Sequence, residues 1–321
     1  MKKIIKKYLL VIFAIAGIAA FTSCNSNDDN GVQDIEIPGI TIDGDIDCCS
    51  AEEALQVYQF LQTVRIIPSL STVVDDQYNV FAYTHTGGFH VGYNDIFFVA
   101  TKKKNGNYVK NFDISGFAPL MYMVKMDMYH STPVSGGVAT VENHPEALKR
   151  GWLSFIMSGG ESGSWSLSYD ISILGKTGAV SGQEIEVSEL PEGQAWVKSF
   201  KVDDNTFYIS LANPLDWQTG ANTATAYVSV KSTPATTPYA LATEQFTIEI
   251  DPRMPDMGNH SSPNNTALTK QADGSYKGSI NLTMTGLWRI HLTVKDSNGN
   301  VVAGGDTEKD GFSSLFWDVT L

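Results

Sequence analysis

WSLSYDISI, residues 165–173, alternates apolar and polar side chains at every step. A period of two puts Trp165, Leu167, Tyr169, Ile171 and Ile173 on one face of an extended chain, the pattern of a strand with one buried side. The same period appears upstream over Val80–Thr84, Asp95–Thr101 and Tyr108–Ile114. Between these runs stand Gly87-Gly88, Asn105-Gly106 and Gly159-Gly160, which mark bends and hairpins. Short strands at this spacing, with almost no helical pattern, predict an all-β fold of the β-sandwich kind.

Downstream, residues 176–200 read as a join, broken by Gly182, Pro191 and Gly193. A second strand series follows over Phe207–Leu211, Thr225–Val230, Phe246–Ile250, Ser279–Met284 and Trp288–Val294. It ends in LFWDVTL, where Leu315, Trp317, Val319 and Leu321 share a face, so this last run is expected to be a core strand. The expectation is therefore two tandem sandwiches, 78–178 and 195–321. A single short helix precedes them. Ser50-Ala51-Glu52-Glu53 has the form of a capping box, and Val57, Tyr58, Leu61 and Val64 extend an apolar stripe from Leu55. The helical unit is expected over 51–67, running from Ala51 to about Arg65 before Pro68, and packed against the first sandwich.

At the other end, Lys2, Lys3, Lys6 and Lys7 precede an uncharged run from Tyr8 to Phe21 and then Cys24. Residues 1–23 read as a secretory signal, and Phe21-Thr22-Ser23-Cys24 resembles a lipoprotein cleavage box that would leave Cys24 lipidated; an ordinary secretory signal is the alternative. Residues 24–50 read as a flexible tether opening with the acidic, polar NSNDDNG. That opening resembles the export tag of surface lipoproteins from Bacteroidetes-type bacteria. The expected location is thus the outer membrane, facing the periplasm or the cell surface, with the membrane as partner through the lipid on Cys24. The full chain carries 22 basic and 35 acidic side chains, a net −13; without the four lysines of residues 1–23 it is −17. Such a balance disfavours nucleic acid as a partner. Besides Cys24 there are only Cys48 and Cys49, so no disulfide framework is expected. The adjacent pair can ligate a metal, form a vicinal disulfide or remain as thiols.

Two further stretches carry chemistry. MYMVKMDMYHSTP, 121–133, holds Met121, Met123, Met126, Met128 and His130; MPDMGNHSSP, 254–263, holds Met254, Met257 and His260. Thioether sulfur is a soft, uncharged donor, and several Met with one His suit Cu(I) better than zinc or calcium. Methionine is also an adaptable core filler, and two-residue spacing is what a buried strand face needs, so ligation and packing stay open for these eight residues. Met157 and Met284, at apolar strand ends, read as packing. His85 and His90 flank a hairpin bend, Glu142-Asn143-His144 reads as exposed loop, and His291 is expected to face solvent or an edge. No nucleophile elbow, phosphate loop, zincin motif or paired-carboxylate signature is present, and a non-enzymatic protein is expected.

The two halves also follow one order. A Met/His stretch ending His-Ser-x-Pro leads to a Met-[Ser/Thr]-Gly turn, Met157-Ser158-Gly159 or Met284-Thr285-Gly286, and then to Trp165 or Trp288. The segment from Met254 to Gly304, with DGSYKGSINLTMTGLWRIHLTV at its centre, resembles the YtkA-like/FixH-like domain, and 78–178 resembles a divergent copy. The resemblance implies immunoglobulin-like sandwiches in an exported bacterial protein and a link to copper handling, with a metal-handling envelope protein as a partner. Copper delivery, storage or sequestration is one expectation. A module that binds a protein or glycan, with the methionines only packing, is the other.

Overall fold

The computed structural model describes residues 36–41, 50–161, 163–191, 194–305 and 313–321. The signal, Cys24, most of the tether and Cys48-Cys49 lie outside them. Residues 35–321 form one compact unit, mostly β-sheet with one N-terminal helix. Among the described residues no helix is long and apolar enough to cross a membrane.

The helix spans Ala51–Leu61, shorter than the sequence suggests. Its start is as expected: Ser50 N–H donates to Glu53 Oε2 (2.8 Å) and Glu53 N–H to Ser50 Oγ (3.3 Å). It ends early because Arg65 and Ile66 pair with Thr84 and Tyr83 of a strand, and a sheet bond outcompetes another helical turn for these residues. Ala54 and Val57 join Phe97, Val99 and Tyr108 in a small apolar cluster, which fixes the helix on the outer face of the strand Gly92–Lys102.

The first large core lies between two sheets. One is seven-stranded, with Tyr78–Thr84, Gly92–Lys102 and Lys149–Phe155 at its centre. The other is four-stranded, ordered Lys176–Ile185, Ser164–Ile173, Phe112–Met123 and Met128–His130. The alternation of WSLSYDISI is met directly, with Trp165, Leu167, Tyr169, Ile171 and Ile173 all buried. Lys176–Ile185 falls inside the stretch read as a join. It is an edge strand burying only Val180 and Ile185, so it carries no apolar alternation to read.

The second core is enclosed by one ten-stranded sheet rather than two separate ones. Its path runs from Val197–Val202 through Asn205–Asn213, Gly220–Val230, Ser275–Leu282, Thr266–Lys270, Thr247–Met254 and Leu287–Lys295 to Val301–Ala303. Phe316–Thr320 pairs with Leu287–Lys295, and Trp317 and Val319 are buried, as LFWDVTL predicts. The ends of the sheet meet: Trp196 Nε1 donates to the Asp318 carbonyl at 2.8 Å, and Val197–Val202 lies against Val301–Ala303.

The two cores are stitched together by buried polar and aromatic contacts. Tyr93, Trp152 and Tyr227 stack, with Trp152 and Tyr227 centroids 4.7 Å apart. Ser154 Oγ lies 2.6 Å from Ser210 Oγ. Pro133 bridges to Tyr239, whose N–H donates to the Thr132 carbonyl at 3.1 Å, while Ser131 N–H donates to the Ala235 carbonyl at 2.7 Å.

Candidate functional site

The first Met/His stretch is a hairpin. Phe112–Met123 turns at Val124–Asp127 and returns as Met128–His130, with Met121 opposite His130, Tyr122 opposite Tyr129, and Met123 opposite Met128. Directly opposed side chains share a face and successive pairs alternate. The middle pair packs on one side with its rings tilted, centroids 4.9 Å apart. Met121, His130, Met123 and Met128 therefore share the other. Met126, two residues before Met128, does not join this strand face, because it sits in the turn, its N–H bonded to the Met123 carbonyl. Exposure is graded along this face and into the turn: Met121 is fully buried, Met123 half-buried and Met128 55% exposed, and Met126 in the turn is 61% exposed.

His130, buried at 9% exposure, is held at both ring nitrogens. Nδ1 lies 2.8 Å from the Ser131 carbonyl oxygen, which can only accept, so Nδ1 carries the proton. Nε2 lies 3.2 Å from Sδ of Met157. The ring also stands edge-to-face on Trp165, centroids 5.3 Å apart. Burial pulls the imidazole below the ordinary histidine value, the Ser131 carbonyl opposes the shift, and Lys231 adds to it. A neutral ring with its proton on Nδ1 turns a bare nitrogen lone pair onto a thioether sulfur.

The sequence reads Met157 as packing. It does pack against the first core, and its sulfur also faces the imidazole. No local signal could have shown this, because the two residues are 27 apart and meet only when Lys149–Phe155 delivers the following turn beneath the hairpin. The Ser131-Thr132-Pro133 tail is structural: Ser131 Oγ donates to the Pro119 carbonyl at 2.7 Å and Thr132 Oγ1 to the Ser154 carbonyl.

The second stretch repeats the pairing with different exposure. Met254 stands opposite His260 across a short hairpin. Met254 is a core residue at the end of Thr247–Met254, sharing its inward face with Ile248 and Pro252, so of the two open readings packing accounts for it. Met257, 55% exposed, lies on the 3-10 turn Pro255–Met257, and His260 is exposed. Met284 packs against the second core, as expected.

Further correspondences link the halves. Trp165 Nε1 donates to the Met157 carbonyl (3.1 Å) and Trp288 Nε1 to the Met284 carbonyl (2.9 Å), at separations of eight and four residues. A Cβ on Gly163 would stand 3.0 Å from Met121 Cε, and one on Gly286 2.8 Å from Met254 Cε. Gly163 and Gly286 thus each stand tight against a buried methionine, while Gly159 makes no such methionine contact.

Beside the hairpin runs an open groove of about 860 Å³ lined in part by Val124, Trp165, Glu184, Glu186 and Glu189. Ser158 Oγ donates to Glu189 Oε1 at 2.9 Å. Among the described residues no three or more His, Cys, Asp and Glu side chains converge as a metal-binding group. The remaining histidines are placed elsewhere. His85 Nε2 is 3.6 Å from Asp95, His90 Nδ1 is 2.9 Å from the Val91 carbonyl, and His144 Nδ1 is 2.8 Å from the Glu142 carbonyl. His291 is buried rather than solvent-facing, set edge-on to Phe316 at 5.9 Å, and burial lowers its pKa. The alternation over Trp288–Lys295 misled because this strand is covered on both faces.

No protein-family model matches the chain, and no curated protein does. Among solved structures, similarity is found to the Yersinia pseudotuberculosis adhesin InvE at 12% identity and a TM-score of 0.19, over 67% of this chain and 53% of that one. A second is SGBP-B of the Bacteroides ovatus mixed-linkage glucan utilization locus, in complex with a mixed-linkage heptasaccharide, at 10% identity and a TM-score of 0.16, over 80% and 70% of the chains. A third is the gamma-CGTase of an alkalophilic Bacillus clarkii, at 12% identity and a TM-score of 0.14, over 84% and 41%. The chain thus spans about half the length of the adhesin. Superposition at this level transfers neither fold nor function.

Proposed function

We propose that this is a non-enzymatic, lipid-anchored envelope protein that binds a soft monovalent cation, Cu(I), at His130 and Met157 beneath the Met hairpin. One observation carries the reading: Nε2 of His130 and Sδ of Met157 face each other at 3.2 Å with the only proton of the neutral ring committed to Ser131. Two donors sharing one ion stand no more than about 4.3 Å apart, the sum of usual metal–nitrogen and metal–sulfur bonds of about 2.0 and about 2.3 Å. An Nδ1–H bound to a backbone carbonyl is also how metal-ligating histidines are oriented. Burial and nearby Lys231 disfavour positive charge here. Neutral donors with one added charge suit that setting better than a divalent ion does. Met121 and Met123 share the face and are further candidate ligands.

The matched Met/His pairs, the Trp-to-Met hydrogen bonds and the Gly163 and Gly286 contacts support a duplicated, immunoglobulin-like domain of the YtkA-like/FixH-like kind. In this reading Met254, Met257 and His260 are the counterpart stretch, with packing the main role of Met254. The test is a Cu(I) titration of the protein against a competing chelator, beside a His130→Ala/Met157→Leu variant. Equal, weak binding by both proteins removes the proposal.

A second reading rests on a different observation. Val124, Met126 and Met128 are exposed at the hairpin tip, and Tyr129 is exposed on its other face, apolar side chains that suit docking of a protein or glycan. It expects a partner that binds equally well to metal-free protein and to the His130/Met157 variant.

A further inference from the structure

Core packing explains Met121 and Met254, which are buried, but not Met126 and Met128, which keep more than half their surface in water. Resting on the Cu(I) reading above, we propose that Met126 and Met128 are transfer ligands: they capture the cation at the hairpin tip and pass it through Met123 to His130 and Met157.

The geometry sets the order. Met128 and Met123 are register partners, and the next inward pair on the same face is His130 and Met121. Opposed side chains on a sheet face stand about 5 Å apart at Cβ, and diagonal neighbours about 7–8 Å, spans that flexible methionines bridge by rotating. The turn carrying Met126 is tied back by the Met126 N–H to Met123 carbonyl bond at 3.2 Å and by Tyr122 OH to Asp127 Oδ1 at 3.1 Å. The turn that carries Met126 is therefore held next to Met123. Each step is a ligand exchange in which one metal–sulfur bond breaks as a bond to the next sulfur forms or, at the last step, a bond to His130 Nε2. The cation remains Cu(I), no proton moves, and no oxidant or reductant is required. The groove beside Val124, with Glu184, Glu186 and Glu189 on its wall, raises the local concentration of cations at the same end of the hairpin.

The experiment uses the whole protein and Cu(I) presented as its complex with a chromophoric chelator, followed by stopped-flow absorbance. A Met126→Leu/Met128→Leu variant should keep an equilibrium affinity within about threefold of the parent while loading and unloading at least about tenfold more slowly, since a path changes both rates and leaves their ratio alone. Unchanged rates would overturn the inference. So would an affinity that falls in step with the rate, because the two methionines would then be holding ligands. Met157→Leu separates the two levels: it should lose affinity whatever the path. A parent protein that takes no Cu(I) overturns the site itself, and the path with it.

Discussion

His130 Nε2 stands 3.2 Å from Met157 Sδ, and the backbone carbonyl of Met157 accepts the indole N–H of Trp165, the ring against which His130 is set edge-on. The imidazole, the thioether and the indole thus form one packed unit. Met157→Leu keeps the volume and the backbone acceptor and removes only the sulfur. Its cost in stability should stay under about 1.5 kcal/mol. Cu(I) affinity should fall by about tenfold or more, equivalent to about 1.4 kcal/mol. Thermal melts beside chelator competition separate the two effects, and a parallel loss of both would mean a packing role alone.

Both buried histidines give the protein an acid-side liability. Burial lowers the pKa of His130 and of His291 in the folded chain. Between the ordinary histidine value of about 6.5 and the lower folded values, the unfolded chain binds more protons. Stability contributed by the neutral rings is therefore complete above that window and is lost as pH falls through it. His130→Asn, which can still donate to the Ser131 carbonyl, should flatten part of the loss seen in unfolding midpoints between pH 7 and pH 5. The part that remains belongs to His291 and to groups outside this pair. A His130→Asn profile identical to the parent would assign the whole effect elsewhere.

What the sequence made legible was whatever repeats locally. Alternation located the strand Ser164–Ile173 and the closing strand Phe316–Thr320, and the Ser50–Glu53 spacing located the helix start. Edge strands with one or two buried residues, such as Lys176–Ile185, leave no such trace. The pairing of Met121 with His130 and of Met254 with His260 was within reach, since each lies in one hairpin. The Met157 contact was not, because long-range sheet pairing decides it and nothing in the spacing encodes which of two apolar strand ends meets the ring.

Gly163 is the tightest point beneath the hairpin. Its φ is +147°, and a Cβ there would stand 1.8 Å from the Tyr122 carbonyl oxygen and 3.0 Å from Met121 Cε. Backbone cannot move aside as a side chain does, so Gly163→Ala forces the strand pair apart where Tyr122 meets Ser164. The expected cost is about 2 kcal/mol or more. Gly160→Ala is the control: its φ is +82° but its Cβ meets nothing within 4 Å, so strain alone should cost about 1 kcal/mol. Urea unfolding of both variants gives the comparison, and equal costs would show that the close approach to Tyr122 is relieved cheaply.

The third position of each His-Ser-x-Pro stretch is occupied by residues alike in sequence and unlike in role. Thr132 is fully buried, its Oγ1 donates to the Ser154 carbonyl, and its own carbonyl accepts from Tyr239 N–H at 3.1 Å. It therefore ties the Met hairpin both to Lys149–Phe155 and to the second half of the chain. Thr132→Val keeps the shape and deletes the donor, leaving the Ser154 carbonyl short of a partner; the expected loss is about 1–3 kcal/mol. Ser262 is 5% exposed, and its Oγ is buried without a hydrogen-bond partner among the described residues. Ser262→Ala removes a desolvated hydroxyl that returns nothing, so it should be neutral or slightly stabilising. Chemical unfolding of the two variants under one set of conditions tests the contrast. A loss at Ser262 as large as that at Thr132 would mean the second stretch is anchored like the first, and that its exposed His260 is held in place rather than free to turn toward Met257.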